Sequence, residues 1–118
     1  MAETIAGLVS MFFGAKLKGS VEQAGYAYVG AIGESGLLKQ IETHAPIAIL
    51  LDLSKDDIDI EQVVRRVQST TDTPIIAFCG HVETQKLEAA KQLGCHITTN
   101  GAITNSFDTV LNKILSNS

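Results

Sequence analysis

Short apolar runs alternate with longer segments of helical period along the whole chain. The apolar runs cover residues 5–9, 26–32, 47–51, 74–78 and 96–99. Runs of this length, bounded by polar and turn-forming residues, are typical of β-strands. We therefore predict five strands, the last of them short.

Each predicted strand is followed by a segment in which apolar residues recur at helical spacing. The clearest spacings are those of Ile60, Val63, Val64 and Val67, and of Phe107, Val110, Leu111, Ile114 and Leu115. A first helix is predicted over residues 15–23 and a fourth over residues 82–93, with Gly94 as its stop. The inward positions of the first two helices are predicted to be Ala15, Leu17, Val21 and Ala24, and Leu37, Leu38, Ile41 and Ala45.

The third and fourth apolar runs are continuously apolar rather than alternating. A strand that is apolar on both faces must be covered on both faces, which is typical of a parallel sheet between helices. Five successive strand–helix units then predict an α/β fold, a doubly wound five-stranded parallel sheet with flanking helices. We expect residues 1–118 to form a single domain.

Composition and charge argue against several classes of function. The chain has 118 residues and a net charge of −4, with a pI near 5.2, so we expect no nucleic-acid partner. No apolar stretch reaches the ~20 residues of a membrane span, and residues 5–13 do not form a signal peptide. We expect no membrane association. Two cysteines without a signal sequence predict a reducing, cytoplasmic location.

Asp52 is the acidic residue best placed for chemistry. It follows the third predicted strand, and functional groups in a doubly wound sheet gather at the carboxyl ends of the strands. Residues 46–95, PIAILLDLSKDDIDIEQVVRRVQSTTDTPIIAFCGHVETQKLEAAKQLGC, resemble the second half of a response-regulator receiver domain. The shared pattern is an apolar strand ending in Asp, an acidic loop, a helix, TPII, a helix, and Gly before Ala or Cys. The amino-terminal half matches mainly in layout.

This resemblance implies a flavodoxin-like, receiver-like fold in which a histidine kinase phosphorylates Asp52 with the help of Mg²⁺. It also identifies positions at which the chain departs from the family. The acidic pair that holds Mg²⁺ falls on Ser10 and Met11, the Thr or Ser after strand four falls on Cys79, and the strand-five Lys falls on Thr99 or Asn100. The aromatic residue of strand five is replaced by Ile97 or Thr98.

None of these replacements supplies the missing chemistry, because Ser is a weak ligand for Mg²⁺, a Met thioether is too soft, and a thiol is a weak hydrogen-bond donor. Loss of the metal and the Lys should cost many orders of magnitude in phosphorylation rate. We therefore predict a degenerate pseudo-receiver that is not an enzyme and has no metal or cofactor. Asp52 is then a vestigial phosphoacceptor that hydrogen-bonds backbone amides of the following loops.

The predicted function is a non-catalytic protein–protein interaction module in signal transduction. Its partner would be a signalling kinase, a regulator or an effector, and a homodimer is compatible with the sequence. By resemblance, the partner face comprises the fourth helix, the fifth strand and the last helix, with Lys86, Lys91, Gln92, Asn105, Asp108 and Asn112.

Two alternatives remain open. In the first, the chain is an atypical receiver that a histidine kinase still phosphorylates on Asp52, with a cation site built from Asp56, Asp57 and Asp59. These carboxylates otherwise suit the start of the following helix. In the second, the chain is a small-molecule sensor with a crevice lined by Met11, Phe12, Cys79 and Ile103.

Three weaker signals are also present. Cys79 and His81 could join Asp52 in a metal site, but no CxxC or HxxxH spacing supports it. Cys79 and Cys95 should lie at opposite rims of the sheet, too far apart for a disulfide. The segment GAIGESG, residues 30–36, has neither GxGxxG nor the Lys-Ser/Thr of a phosphate loop, so we predict a tight turn with Glu34 or Ser35 near a helix cap.

Overall fold

The computed structural model describes residues 2–80 and 84–116. Five strands form one parallel sheet in the order β2-β1-β3-β4-β5. Their bounds are β1 Thr4–Leu8, β2 Ala27–Ala31, β3 Ala48–Asp52, β4 Ile75–Cys79 and β5 His96–Thr99. The predicted doubly wound parallel sheet is thus confirmed, with every strand within a residue or so of its predicted bounds.

Six helices flank the sheet among the described residues. They are α1 Met11–Gln23, α2 Glu34–His44, α3 Ile60–Thr70, α4 Thr84–Gln92, α5 Asn100–Asn105 and α6 Phe107–Ser116. The predicted helices exist, although residues 82 and 83 of the predicted fourth helix lie outside the described residues. Helix α5 was not predicted, because a six-residue helix is too short to show an apolar period. No helix in the described part of the chain is long and apolar enough to cross a bilayer.

Two details of the helix predictions were wrong. Helix α1 begins at Met11, four residues before the predicted start, and Ala15 is exposed rather than inward. Met11 and Phe12 point to solvent, so the first turn carries no apolar period that a sequence pattern could detect. Ala45 is also exposed, because it caps α2 with a left-handed backbone (φ 46°) instead of continuing the helix.

Two hydrophobic clusters cover the two faces of the sheet. Successive residues of a strand point to opposite faces, so Ile49 and Leu51 pack with α2, α3 and α4, whereas Leu50 packs with α1, α5 and α6. This arrangement explains why β3 and β4 are apolar at every position but one. The exception is Asp52, the last residue of β3 and the one buried charged side chain among the described residues.

Candidate functional site

The Asp52 carboxyl group is 1% exposed and its two oxygens accept three hydrogen bonds. Oδ2 accepts from the backbone N–H of Ser10 at 3.1 Å. Oδ1 accepts from the backbone N–H of Ser54 at 3.0 Å and from the Ser54 hydroxyl at 2.5 Å. Asp52 thus bonds the backbone of the loop after β3, as predicted, and also that of Ser10, the N-cap residue of α1. Three donors provide the compensation that a buried carboxylate requires.

Tyr28 is an aromatic residue within range of the Asp52 charge. Its ring lies across Gly7, since a Cβ on Gly7 would be 2.5 Å from the Tyr28 Oη and 2.9 Å from Cε1. Glycine at position 7 therefore leaves the space that the ring fills. Burial, and after it the negative charge of Asp52, raise the pKa of Tyr28 to about 12.

The loop after Asp52 places a lysine beside its acids. The Lys55 side chain is only 11% exposed, and its ammonium group donates to the two carboxylate oxygens of Asp57 at 2.9 and 3.1 Å. This hydrogen bond from Lys55 is the main reason why the pKa of Asp57 is lowered. Asp57 is therefore already neutralised by a residue of its own loop.

The other two acids of the loop also have partners. Asp59 caps α3, where its side chain accepts from the backbone N–H of Gln62 at 3.1 Å, which confirms the predicted capping role. Asp56 lies 3.5 Å from the Lys86 ammonium group. Among the described residues, no three acids, histidines or cysteines are grouped closely enough to hold a metal ion.

Ser10 and Met11 replace the acidic pair that follows strand one, and Thr99 or Asn100 replaces the lysine of strand five. Not all of these residues reach Asp52. Ser10 reaches Asp52 through its backbone, whereas the Met11 side chain is 87% exposed and points away. Thr99 ends β5, and its hydroxyl accepts from the backbone N–H of Ala102, which caps α5. Asn100 is the first residue of α5, and its buried Oδ1 accepts no hydrogen bond from any described residue.

A small-molecule sensor was predicted to have a crevice lined by Met11, Phe12, Cys79 and Ile103. These four side chains do not line a common crevice. Phe12 is exposed to solvent, while Cys79 and Ile103 are buried in the clusters on opposite faces of the sheet. That expectation was wrong because the residues were placed from their position in the chain, without the direction of each side chain. Met11 instead lines a cleft of about 200 Å³.

The three weaker sequence signals concerned the two cysteines, His81 and the turn before α2. Neither Cys79 nor Cys95 forms a disulfide, and burial raises the pKa of the Cys95 thiol to about 11. His81 lies outside the described residues, so the site proposed for it with Cys79 stays a prediction. Glu34, at the start of α2, accepts from Gln62 at 2.9 Å and from Arg66, and the Arg66 hydrogen bond lowers its pKa.

Three residues near Asp52 were not predicted from the sequence, namely Ser54, Tyr28 and Lys55. A serine two residues after an aspartate at the end of a strand is a common Asx-turn partner, so Ser54 could have been identified. Tyr28 and Gly7 lie on neighbouring strands, and their contact depends on the register that places Tyr28 opposite Ile5 and Gly7 opposite Gly30. No local signal in the chain gives that register.

No protein-family model matches the chain, and no curated protein matches it. Solved structures do match. NtrX from Brucella abortus has a TM-score of 0.86 at 17% identity, over 99% of this chain and 28% of the NtrX chain. The signal receiver domain of a LuxO repressor protein from Vibrio parahaemolyticus has a TM-score of 0.79 at 19% identity, covering 99% and 92% of the two chains.

A two-component response regulator from Clostridium difficile has a TM-score of 0.82 at 18% identity, covering 98% of this chain and 97% of that one. The chain thus has the fold of response-regulator receiver domains, as its sequence resemblance implied. It spans little more than a quarter of the NtrX chain. At such identities the likeness shows the fold, and the function must be argued from the site.

Proposed function

We propose that the chain is a pseudo-receiver: a cytoplasmic protein–protein interaction module in signal transduction that is not phosphorylated on Asp52 with Mg²⁺. Its partner would be a signalling kinase, a regulator or an effector. The receiver fold supports the signalling role, and the state of Asp52 supports the absence of phosphorylation. Asp52 is buried and accepts three hydrogen bonds from Ser10 and Ser54.

Coordination chemistry explains why this observation carries the proposal. Mg²⁺ requires near-octahedral oxygen ligation and keeps most of its waters, so it needs carboxylate lone pairs that face solvent. On Asp52 three of about four lone-pair sites accept from Ser10 and Ser54. A cation would therefore have to use the one remaining site or displace one of these donors. The neighbouring acids are directed to Lys55, to Lys86 and to the start of α3.

The electrostatics of phosphoryl transfer lead to the same conclusion. The transferred group carries negative charge on its oxygens, which receivers neutralise with a divalent cation and a lysine. The lysine position falls on Thr99 or Asn100, neither of which is a cation, and the nearby Lys55 is paired with Asp57. A phosphoryl group on Asp52 would therefore bring charge to a buried position without a matching cation.

The test is to expose the purified chain to acetyl phosphate with Mg²⁺, and separately to beryllofluoride. Intact mass spectrometry and amide NMR spectra would be recorded. We expect no increase in mass. We also expect no shift of the Ser10 and Ser54 amide signals at Mg²⁺ concentrations up to the millimolar range. A receiver with an intact acidic pair, treated in parallel, shows that the reagents are active.

Asp52→Asn is the matched control, because it keeps the shape of the side chain and removes the nucleophilic oxygen. A phosphoryl adduct on the wild-type chain that is absent from Asp52→Asn would refute the proposal. It would support the alternative of an atypical receiver that is phosphorylated on Asp52 by a histidine kinase.

The α4–β5–α6 face is a candidate for partner binding or homodimerisation. It holds a cleft of about 390 Å³ between the edge strand β5 and α6, lined in part by Ile97, Val110 and Ile114, with Lys91 and Lys113 at its sides. An open edge strand next to apolar residues is a surface that proteins use for association.

A further inference from the structure

Strand β2 forms one edge of the sheet, with β1 as its one neighbour among the described strands. The segment from Gly25 to Gly33, which contains β2, has no charged residue and no proline. Natural proteins usually protect an edge strand with such residues, because its outward N–H and C=O groups can pair with another chain. The β2 edge is therefore a candidate for the addition of a further strand.

The backbone groups of β2 alternate between β1 and the open edge. The Ala27 N–H donates to the carbonyl of Glu3, the residue before β1, at 2.9 Å. Every second residue of β2 from Ala27 therefore bonds β1 in the parallel register, while Tyr28 and Gly30 direct their N–H and C=O groups outward. The Gly30 carbonyl accepts from the Gln40 side chain at 3.0 Å, which agrees with this direction. An added strand would meet two outward donors and two outward carbonyls.

A cleft lies on each face of the sheet beside the carboxyl end of this edge. Both clefts are lined by Gly30, Ala31 and Ile32. The cleft on the α1 side has a volume of about 200 Å³ and includes Tyr28, and the recess on the α2 side has a volume of about 930 Å³ and includes Lys39. Successive residues of a strand point to opposite faces. Two adjacent side chains of an added strand would therefore reach one cleft each.

The two clefts differ in their chemistry. The cleft on the α1 side is mostly apolar, and its one charged residue, Lys55, is paired with Asp57, so this cleft suits an aliphatic side chain. The recess on the α2 side is polar. Its Arg66 is paired with Glu34, whereas the exposed Lys39 forms no salt bridge with another described residue. An acidic side chain in this recess would complement the charge of Lys39.

We infer that an extended segment of a partner protein adds to the β2 edge, and that this segment carries an aliphatic and an acidic residue at adjacent positions. Its backbone would bond Tyr28 and Gly30, and its two side chains would occupy the two clefts. In this type of recognition, main-chain hydrogen bonds give affinity and the pockets for alternate side chains give specificity. The inference rests on the proposed role as an interaction module and names a surface other than the α4–β5–α6 face.

A second copy of the chain fits this edge less well. Its own β2, with the sequence AYVGA, has no acidic residue to place beside Lys39. Helices α1 and α2 contact β2, so in a paired copy they would approach the same clefts. The five residues of β2 are also few against the roughly 20–30 residues that each partner contributes to a stable interface. A single extended segment needs no larger surface.

The test uses two synthetic extended peptides, capped at both ends, in which Thr and Val alternate around a central pair. The central pair is Leu–Glu in one peptide and Leu–Lys in the other. Each peptide is titrated into the full chain at low salt and followed by amide NMR. We expect the Leu–Glu peptide to bind about 2- to 5-fold more tightly, since one exposed ion pair contributes a modest preference. Lys39→Glu should reverse this preference.

Two measurements report the backbone pairing directly. In the free chain, the Tyr28 and Gly30 amides should exchange with solvent faster than those of Val29 and Ala31, which bond β1, and the bound peptide should slow the first two. Two versions of the Leu–Glu peptide are also N-methylated at alternate nitrogens. The version whose methyl groups face β2 should bind about tenfold more weakly or worse, because it lacks the pairing donors, and the other should bind like the unmodified peptide.

Gly30→Pro and Gly30→Ala are a matched pair of variants at the edge. Both add a Cβ, which would lie 3.4 Å from Cε2 of Tyr28, an ordinary contact. Only Gly30→Pro removes the outward N–H, and an edge strand tolerates proline where that N–H faces solvent. We expect Gly30→Ala to keep the affinity for the Leu–Glu peptide and Gly30→Pro to lose about 3- to 10-fold. Thermal unfolding checks that both variants fold, and the N-methylated peptides test the pairing on the unmodified chain.

Several results would overturn the inference. They are binding of neither peptide, equal affinity of the two N-methylated versions, a preference that Lys39→Glu leaves unchanged, and binding that does not slow exchange at Tyr28 and Gly30. A dimer in sedimentation that Gly30→Pro abolishes and Gly30→Ala keeps would also overturn it, because a second copy would then be the occupant. None of these results concerns an adduct on Asp52, so the unphosphorylated pseudo-receiver is tested separately.

Discussion

Gly7→Ala tests the placement of the Tyr28 ring across Gly7. The new methyl group would lie 2.5 Å from the Tyr28 Oη and 2.9 Å from Cε1, so the ring must move by nearly an ångström. Forcing a methyl into a packed site costs about 1–3 kcal/mol, and replacing Gly by Ala within a strand recovers roughly 0.5–1 kcal/mol. The two ranges leave a net loss of up to about 2.5 kcal/mol in the free energy of unfolding, and we expect a value in its middle, about 1–2 kcal/mol.

Urea and thermal unfolding measure this loss. For a chain of this length, about 1–2 kcal/mol corresponds to a decrease in Tm of roughly 3–12 °C. Gly19→Ala is the matched control, because its Cβ meets nothing within 4 Å. That change removes a glycine from a helix, so it should stabilise the chain by up to about 1 kcal/mol.

A double-mutant cycle identifies the clash partner. In a Tyr28→Leu background the ring is absent, and Gly7→Ala should then cost nothing or stabilise the chain. Tyr28→Phe should relieve only part of the clash, because the contact with Cε1 remains. If Gly7→Ala costs the same with and without the Tyr28 ring, the ring does not lie across Gly7 and the description of the site is wrong.

Three further predictions concern titration and helix capping. The pKa of Tyr28 is raised from 10.0 in the unfolded chain to about 12 in the folded chain. The folded chain should therefore lose up to about 2–3 kcal/mol of stability as pH rises from below 10.0 through about 12. Urea unfolding across that pH range measures the loss. Asp52→Asn should lower the pKa of Tyr28 but leave it above 10.0, since burial is the larger cause, and tyrosinate absorbance follows the change. Asp59→Ala should cost about 1 kcal/mol through loss of the α3 cap, whereas Asp56→Ala at an exposed position should leave urea unfolding unchanged; equal losses would contradict the capping role.

Local pattern was sufficient to predict the sheet and most of its helices. Val63, Val64 and Val67 recur at helical spacing and are all buried in α3, and β3 and β4 are apolar at consecutive positions because helices cover both faces. Asp52 could be placed at the end of β3 for the same reason, since it ends an apolar run. The spacing of apolar residues within one helix or strand indicates which of its faces is buried, and it can be read from that segment alone.

The tertiary structure decided what surrounds Asp52. Its hydrogen bond with Ser10 joins residues 42 positions apart, and the contact of Tyr28 with Gly7 depends on the pairing of β1 with β2. Such contacts depend on strand order and register, which the local pattern of either segment does not contain.

The same distinction explains Met11 and Phe12. An apolar residue in the sequence predicts burial, yet the direction of α1 turns these two side chains to solvent. The sequence by itself determined a five-stranded α/β fold with one acid at the rim of the sheet. Only the folded chain determined that Ser10 and Ser54 donate to this acid and that the start of α1 is apolar and exposed, because both depend on the relative placement of separate elements.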